Sequence, residues 1–377
     1  MSIYQELGIK PYINALDTVS IFGGSRMPDR VMDAMHAASR NFVELADLQE
    51  KTGRRIAELS HNEGAYITAG ASSGLLYCAS LILTGSDPEL LKLLPDTSAL
   101  AKNEIVMMAG QRTGYDKALE CSGAKVIAVD AQPHDTEALE AAINDRTAAI
   151  FFFDLWGCRN TSLSFEDTMA VANRHNVPVV VDAAAQLPPI ENLWRFTGAG
   201  AAAAVFSGGK GMRGPQGSGL VVGKKWLLDG FPLVGAPKHG IGRSSKIGRE
   251  EIVGLYTAIR DYLEPGMVDC KVATIEARVQ YINEALNKSG LFRCKRVFPG
   301  PTGQCYPRSA AELMVDVPAE ELVKVLREGT PGILICKTGH DTCTNGIFIN
   351  PLLLTDDEVS VVVREVIAQT CVLQAAR

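Results

Sequence analysis

No apolar run in the chain approaches the roughly 20 residues needed to cross a membrane as a helix, so no membrane partner is expected. The opening residues, MSIYQELGIKPYINA, have neither a basic start leading into an apolar stretch nor an Arg-rich amphipathic pattern, and a cytoplasmic location is the expectation. Positive charge is also not in excess. The 37 Lys and Arg face 43 Asp and Glu, a formal net charge of −6, which argues against a nucleic-acid surface as the main function. Nine cysteines are scattered from Cys78 to Cys371 without the close pairing of a metal site, so free thiols and no metal are expected. Internal repeats, low-complexity linkers and a disorder signature are absent too. What remains is a 377-residue chain, 46% hydrophobic, long enough for two cores.

The most informative stretch, residues 198–219, reads GAGAAAAVFSGGKGMRGPQGSG. Its apolar part, 201–206, predicts a buried strand. Ser207, Gly208, Gly209, Lys210 and Gly211 follow, small residues that let the chain turn and leave room beside the lysine. Desolvation of an amine there favours its neutral, nucleophilic form, the form that makes a Schiff base. Pyridoxal 5'-phosphate (PLP) is the cofactor that most often uses such a lysine.

Two upstream stretches complete the pattern. VPVVVDAAAQLPP predicts a strand over 179–181 that ends at Asp182. A carboxylate at the end of a buried strand needs a positive partner, and a protonated pyridine nitrogen is one. Ala184 is small enough for a flat ring to lie against, and Gln186 is placed to donate to a phenolic oxygen. Further upstream, Gly70, Ala71, Ser72 and Ser73 lie between a strand-like 65–67 and a helix-like 75–83. Free amides at a helix start, with hydroxyl donors beside them, suit a phosphate, and Ser207 offers another hydroxyl.

In their order along the chain, YINALDTVSIFGGSRMP, ITAGASSGL, GQRTGYDKALECSGAKV, VPVVVDAAAQLPPIENLWRF, FSGGKGMRGPQGSGLVVGKK and GRSSKIGREEIVGL resemble the fold-type-I PLP enzymes of the selenocysteine synthase-like group. Within that group they are most similar to the branch that includes D-glucosaminate-6-phosphate ammonia-lyase. The resemblance implies an aminotransferase-like α/β large domain with a mainly parallel sheet and a smaller α+β C-terminal domain. It makes Lys210 the Schiff-base lysine, sets Asp182 against the pyridine nitrogen, and gives Ala71, Ser72, Ser73 and Ser207 to the phosphate. It also implies a homodimer or higher homo-oligomer, in which a glycine-rich basic loop reaches the partner's site with Arg243 or Lys246. The family commonly has a small residue and a glycine where Leu16 and Asp17 stand, and histidine where Gln111 stands.

The remaining candidates are cationic or polar. Arg26 follows two glycines in the amino-terminal segment and is expected near an anionic group of the substrate. Gln111 and Arg112 follow a strand at 104–108, where ligands collect in open α/β sheets, and are expected to contact cofactor or substrate. Alternating strands (124–129, 148–153, 179–181, 202–206) and helices (136–144, 165–175) predict the parallel sheet, and 220–222 is expected to return as a hairpin. A long helix over 268–288 and strands near 312–317 and 332–336 predict the second domain. The expected partition is 1–40 for the arm and first helix, 41–245 for the PLP domain and 246–377 for the small domain. His340 and Asp341 receive no role.

The chemistry expected is α-proton removal by the freed Lys210, then β-elimination of water and release of ammonia from an amino acid or amino sugar acid. The residues alone leave open a racemase, an aminotransferase or a C–S lyase. Selenium transfer on seryl-tRNA and a non-catalytic PLP-binding relative are less favoured.

Overall fold

The computed structural model describes residues 2–158, 161–300, 303–339 and 343–377; His340 and Asp341 lie outside them. The chain forms two compact units. The larger runs from Gly23 to Pro265, and the smaller takes the first residues up to Phe22 and most of the chain from Gly266 onward. This division differs from the expected partition at both ends. The helix Arg249–Tyr262 groups with the larger unit, where the Arg249 guanidinium donates to the carbonyls of Ala38 and Ser39 at 3.0 and 2.9 Å. The short strand Tyr12–Asn14 groups with the smaller unit by pairing with Gly332–Leu334.

The larger unit is built on seven strands: β1 Gly64–Thr68, β2 Glu104–Met108, β3 Lys125–Val129, β4 Thr147–Phe153, β5 Val179–Asp182, β6 Ala203–Ser207 and β7 Gly219–Gly223. Their order across the sheet is β1-β7-β6-β5-β4-β2-β3. Only β7 runs against its neighbours, as the expected hairpin requires. Every residue of β4 is buried, the mark of a parallel strand covered on both faces. Helix α1, Leu45–Leu59, covers the free edge of β1, with Gln49 Nε2 donating to the Ile67 carbonyl at 2.8 Å; an edge capped in this way cannot recruit another strand. Helix α2, Gly70–Thr84, is apolar on most sides, which suits a helix enclosed by protein.

In the smaller unit, a four-stranded antiparallel sheet is ordered Cys336–Lys337, Gly346–Ile349, Arg308–Leu313, Phe292–Val297. The strand expected near 312–317 is therefore found earlier. Its first half, Arg308 to Ala311, is charged or small and gives no strand signal, although all four residues are buried. Helices Met267–Lys288, Ala319–Glu328 and Asp356–Ala375 pack around Ile282, Leu286, Ile333, Ile347 and Val362, all inaccessible to solvent. Among the described residues, one charged side chain is buried with them. The Arg308 guanidinium, 3% exposed, pairs with Asp17 at 2.7 Å and with the Tyr306 hydroxyl at 3.0 Å.

Candidate active site

The strand register of the larger unit brings the three sequence motifs to one edge. Thr68 at the end of β1 and Ser207 at the end of β6 both pair with Gly219 at the start of β7. Asp182 at the end of β5 pairs with Val205. The Ser207 amide donates to the Ala184 carbonyl at 3.4 Å. Lys210, Ser207, Asp182, Ala184 and the opening of α2 thus share the carboxyl-end crevice of the sheet, where open α/β sheets bind ligands.

At the phosphate turn, Gly70 begins α2 with a φ of +80°, a conformation that favours glycine. The residue before it, Ala69, makes no side-chain cap, so the first amides of α2 have no capping side chain. Ser72 is exposed. Ser73 is buried, and its hydroxyl donates to the Ala69 carbonyl at 2.7 Å, so it shapes the turn. Packing against this turn leaves no space at Gly219. A Cβ there would sit 2.4 Å from the Gly70 carbonyl carbon and 2.7 Å from the Ala71 nitrogen.

The lysine loop is held just as closely. The Ser25 amide donates to the Gly209 carbonyl at 3.0 Å, and Arg213 Nε donates to the Arg26 carbonyl at 2.9 Å. These bonds bring the exposed Arg26 beside the loop. Lys210 is half-buried; its carbonyl accepts from the Arg213 amide at 3.0 Å, and its amine makes no hydrogen bond or ion pair with the described residues. The Asp182 carboxyl is pushed above the usual carboxylate range, chiefly by desolvation. The Ala184 amide, donating to Asp182 Oδ1 at 2.9 Å, and the Lys210 charge pull it back, while Asp154 raises it further.

Asp154 is a neighbour that sequence reading passed over. Its amide donates to the Asp182 carbonyl at 3.0 Å, and the residue is 5% exposed. Its signal, a carboxylate directly after an apolar strand, is the one that marks Asp182.

Three further candidates have partners within the protein. Gln111 is 1% exposed, and its Oε1 accepts from the Phe153 amide at 2.9 Å; it caps the end of β4 and presents no face for stacking. Arg112 is bound to Asp116 and, at 3.0 Å, to Glu120, so its charge is already balanced by two carboxylates. Gln186 spends an N–H on the Asp154 carbonyl at 2.6 Å, holding the ends of β4 and β5 together. Arg243 and Lys246 are both exposed and have no carboxylate partner among the described residues.

These residues fit PLP. A desolvated carboxyl lifted above its normal range calls for a cation, which the protonated ring nitrogen provides, and an uncapped helix start calls for an anion. Fold and site together define a PLP-dependent enzyme of fold type I.

Comparison with known proteins makes the relationship specific. Residues 90–212 match the DegT/DnrJ/EryC1/StrS aminotransferase family. The chain is 33% identical over 293 residues to D-glucosaminate-6-phosphate ammonia lyase of Salmonella typhimurium, covering 76% of this chain and 75% of that one. A solved structure of D-glucosaminate-6-phosphate ammonia-lyase superposes with a TM-score of 0.84 at 28% identity, covering 99% of each chain. Serine palmitoyltransferase from S. paucimobilis, solved with PLP bound, shares the fold at 14% identity and a TM-score of 0.61, covering 96% of this chain and 88% of that one. The chain belongs to the D-glucosaminate-6-phosphate ammonia-lyase family of PLP-dependent lyases.

Proposed function

We propose that this protein releases ammonia from a 2-amino-3-hydroxy sugar acid, giving the 2-oxo-3-deoxy acid, as a cytoplasmic homodimer or higher homo-oligomer. The observation that carries this reading is that the Lys210 amine, without a partner among the described residues, and a desolvated Asp182 follow the carboxyl ends of neighbouring strands, in a chain of this family.

Bound PLP supplies an electron sink for charge developing at the substrate Cα. Lys210 Nζ would anchor the cofactor, and its amine would take the α-proton and return one to the 3-hydroxyl as water leaves; water adding to the resulting enamine product would then give the 2-oxo acid and ammonia. Asp182 keeps its negative charge against the ring nitrogen. The first amides of α2, with the Ser72 and Ser207 hydroxyls, hold the phosphate. Ser73 and Gly70 keep that turn in shape, Ala184 leaves space for the ring, and Gln186 fixes the strand ends beneath it. Arg243 and Lys246 carry exposed cations for the anionic groups of a sugar acid, and Arg26 stands beside the lysine loop as a further contact to such a group.

Purified protein with PLP should release ammonia and a 2-oxo acid in equal amounts from D-glucosaminate 6-phosphate or its unphosphorylated counterpart. Inverted substrate without ammonia would indicate a racemase. Ammonia-free conversion that requires a 2-oxo acid acceptor would indicate an aminotransferase.

A further inference from the structure

Helix α2 carries, two turns beyond its phosphate-binding start, a tyrosine that the reaction does not use. Tyr77 is 2% exposed, and its hydroxyl lies 3.3 Å from the Gly242 carbonyl and 3.3 Å from the Ser245 carbonyl. Those carbonyls belong to the loop GAPKHGIGRSSKIG, residues 235–248. Lys238, His239, Arg243 and Lys246 on this loop are all exposed, a local excess of positive charge on an acidic protein. The ring is in contact as well as the hydroxyl. A Cβ on Gly242 would lie 2.7 Å from Tyr77 Cε1, and Phe231 braces the ring edge-on at 5.8 Å between centroids.

We infer that Tyr77 is a positioning residue, a latch that ties the basic loop to the phosphate-holding helix and so fixes where Arg243 and Lys246 stand to meet an anionic substrate. Four glycines in the loop sequence give it many alternative conformations. Its own backbone bonds, among them Arg243 to Gly240 and Ser245 to Gly242, both 3.0 Å, and the bridge between Gly235 and Gly242, close the loop on itself without tying it to α2. The hydroxyl supplies that tie. Desolvation raises the Tyr77 pKa, which keeps the phenol a donor. The substrate part of this inference rests on the function proposed above; the latch itself does not.

The test is Tyr77→Phe, which keeps the ring and deletes the donor, beside Tyr66→Phe, a buried neighbour whose hydroxyl bonds neither carbonyl. Limited trypsin digestion of the PLP-loaded protein should nick after Lys238, Arg243 or Lys246 about fivefold faster in Tyr77→Phe, the effect of one hydrogen bond, and at the wild-type rate in Tyr66→Phe. KM for the phosphorylated sugar acid should rise about fivefold, with kcat and KM for the unphosphorylated acid within about twofold of wild type. Equal nicking in all three proteins would overturn the latch whatever the kinetics. Faster nicking with an unchanged KM would overturn its role in substrate positioning. Faster nicking in a protein whose wild type turns over neither acid would leave the latch standing and remove the proposed function.

Discussion

Asp182 and Lys210 attract each other without touching. The lysine charge favours the carboxylate form of Asp182, yet no ion pair joins the two side chains. Attraction across a gap at the end of a parallel sheet is what a flat cationic ring between them needs. A direct ion pair would have consumed both groups.

Lys210→Ala should therefore abolish turnover, by roughly 10³-fold or more for a group acting in both cofactor attachment and proton transfer. The fold should survive, because the Lys210 side chain bonds no described residue and its backbone bond to Arg213 is kept. Borohydride treatment of the wild type with PLP, followed by peptide mapping, should place the reduced cofactor on Lys210. Trapping on another lysine with full activity in Lys210→Ala would defeat the assignment.

Asp182→Asn should have opposite effects in the PLP-free and PLP-loaded protein. The folded pKa of Asp182 is raised above the ordinary 3.8, so in the window above that value the folded state binds more protons than the unfolded one, and stability falls as pH rises through it. Without PLP, the variant should unfold at a higher temperature than wild type above this window, and the difference should vanish as pH drops below 3.8. With PLP, the order should reverse and activity should fall by about 10² or more. Thermal melts across pH, with and without PLP, check the sign. A difference independent of pH would count against a desolvated carboxyl.

Gly219→Ala places a methyl against the Gly70 carbonyl and the Ala71 amide. Backbone atoms cannot swing aside as a side chain can, so a cost of about 1–3 kcal/mol is expected. The displaced segment is the phosphate turn, so PLP affinity should fall about tenfold or more, read by spectrophotometric titration. An unchanged affinity would place the phosphate elsewhere.

In the smaller unit, Asp17→Ala leaves the Arg308 guanidinium without its carboxylate. Breaking a buried pair from one side costs about 3–5 kcal/mol, and the lower end applies here because the Tyr306 hydroxyl stays in place. Denaturant unfolding checks it. Replacing both residues at once, Asp17→Asn with Arg308→Met, should cost less than Asp17→Ala alone, since no buried charge is then stranded.

Local signals were enough for the lysine loop, the aspartate at the strand end and the small-residue helix start. Each is written within a few residues: an apolar run sets the strand, and the next small or charged residue sits at its end. The parallel sheet was legible for the same reason, since strand and helix periods alternate along the chain. What only the tertiary structure decided was which polar groups are already used. Arg112 is neutralised by Asp116 and Glu120 on the next turns, Gln111 caps a strand 42 residues away, and Asp17 meets Arg308 across 291 residues. Likewise, only the fold brings the Tyr77 hydroxyl to the carbonyls of Gly242 and Ser245, and only strand register puts Asp154 beside Asp182. A sequence pattern specifies what a residue can offer chemically. Whether that offer remains open depends on desolvation and on partners that chain folding delivers from far away, and these have no local signature.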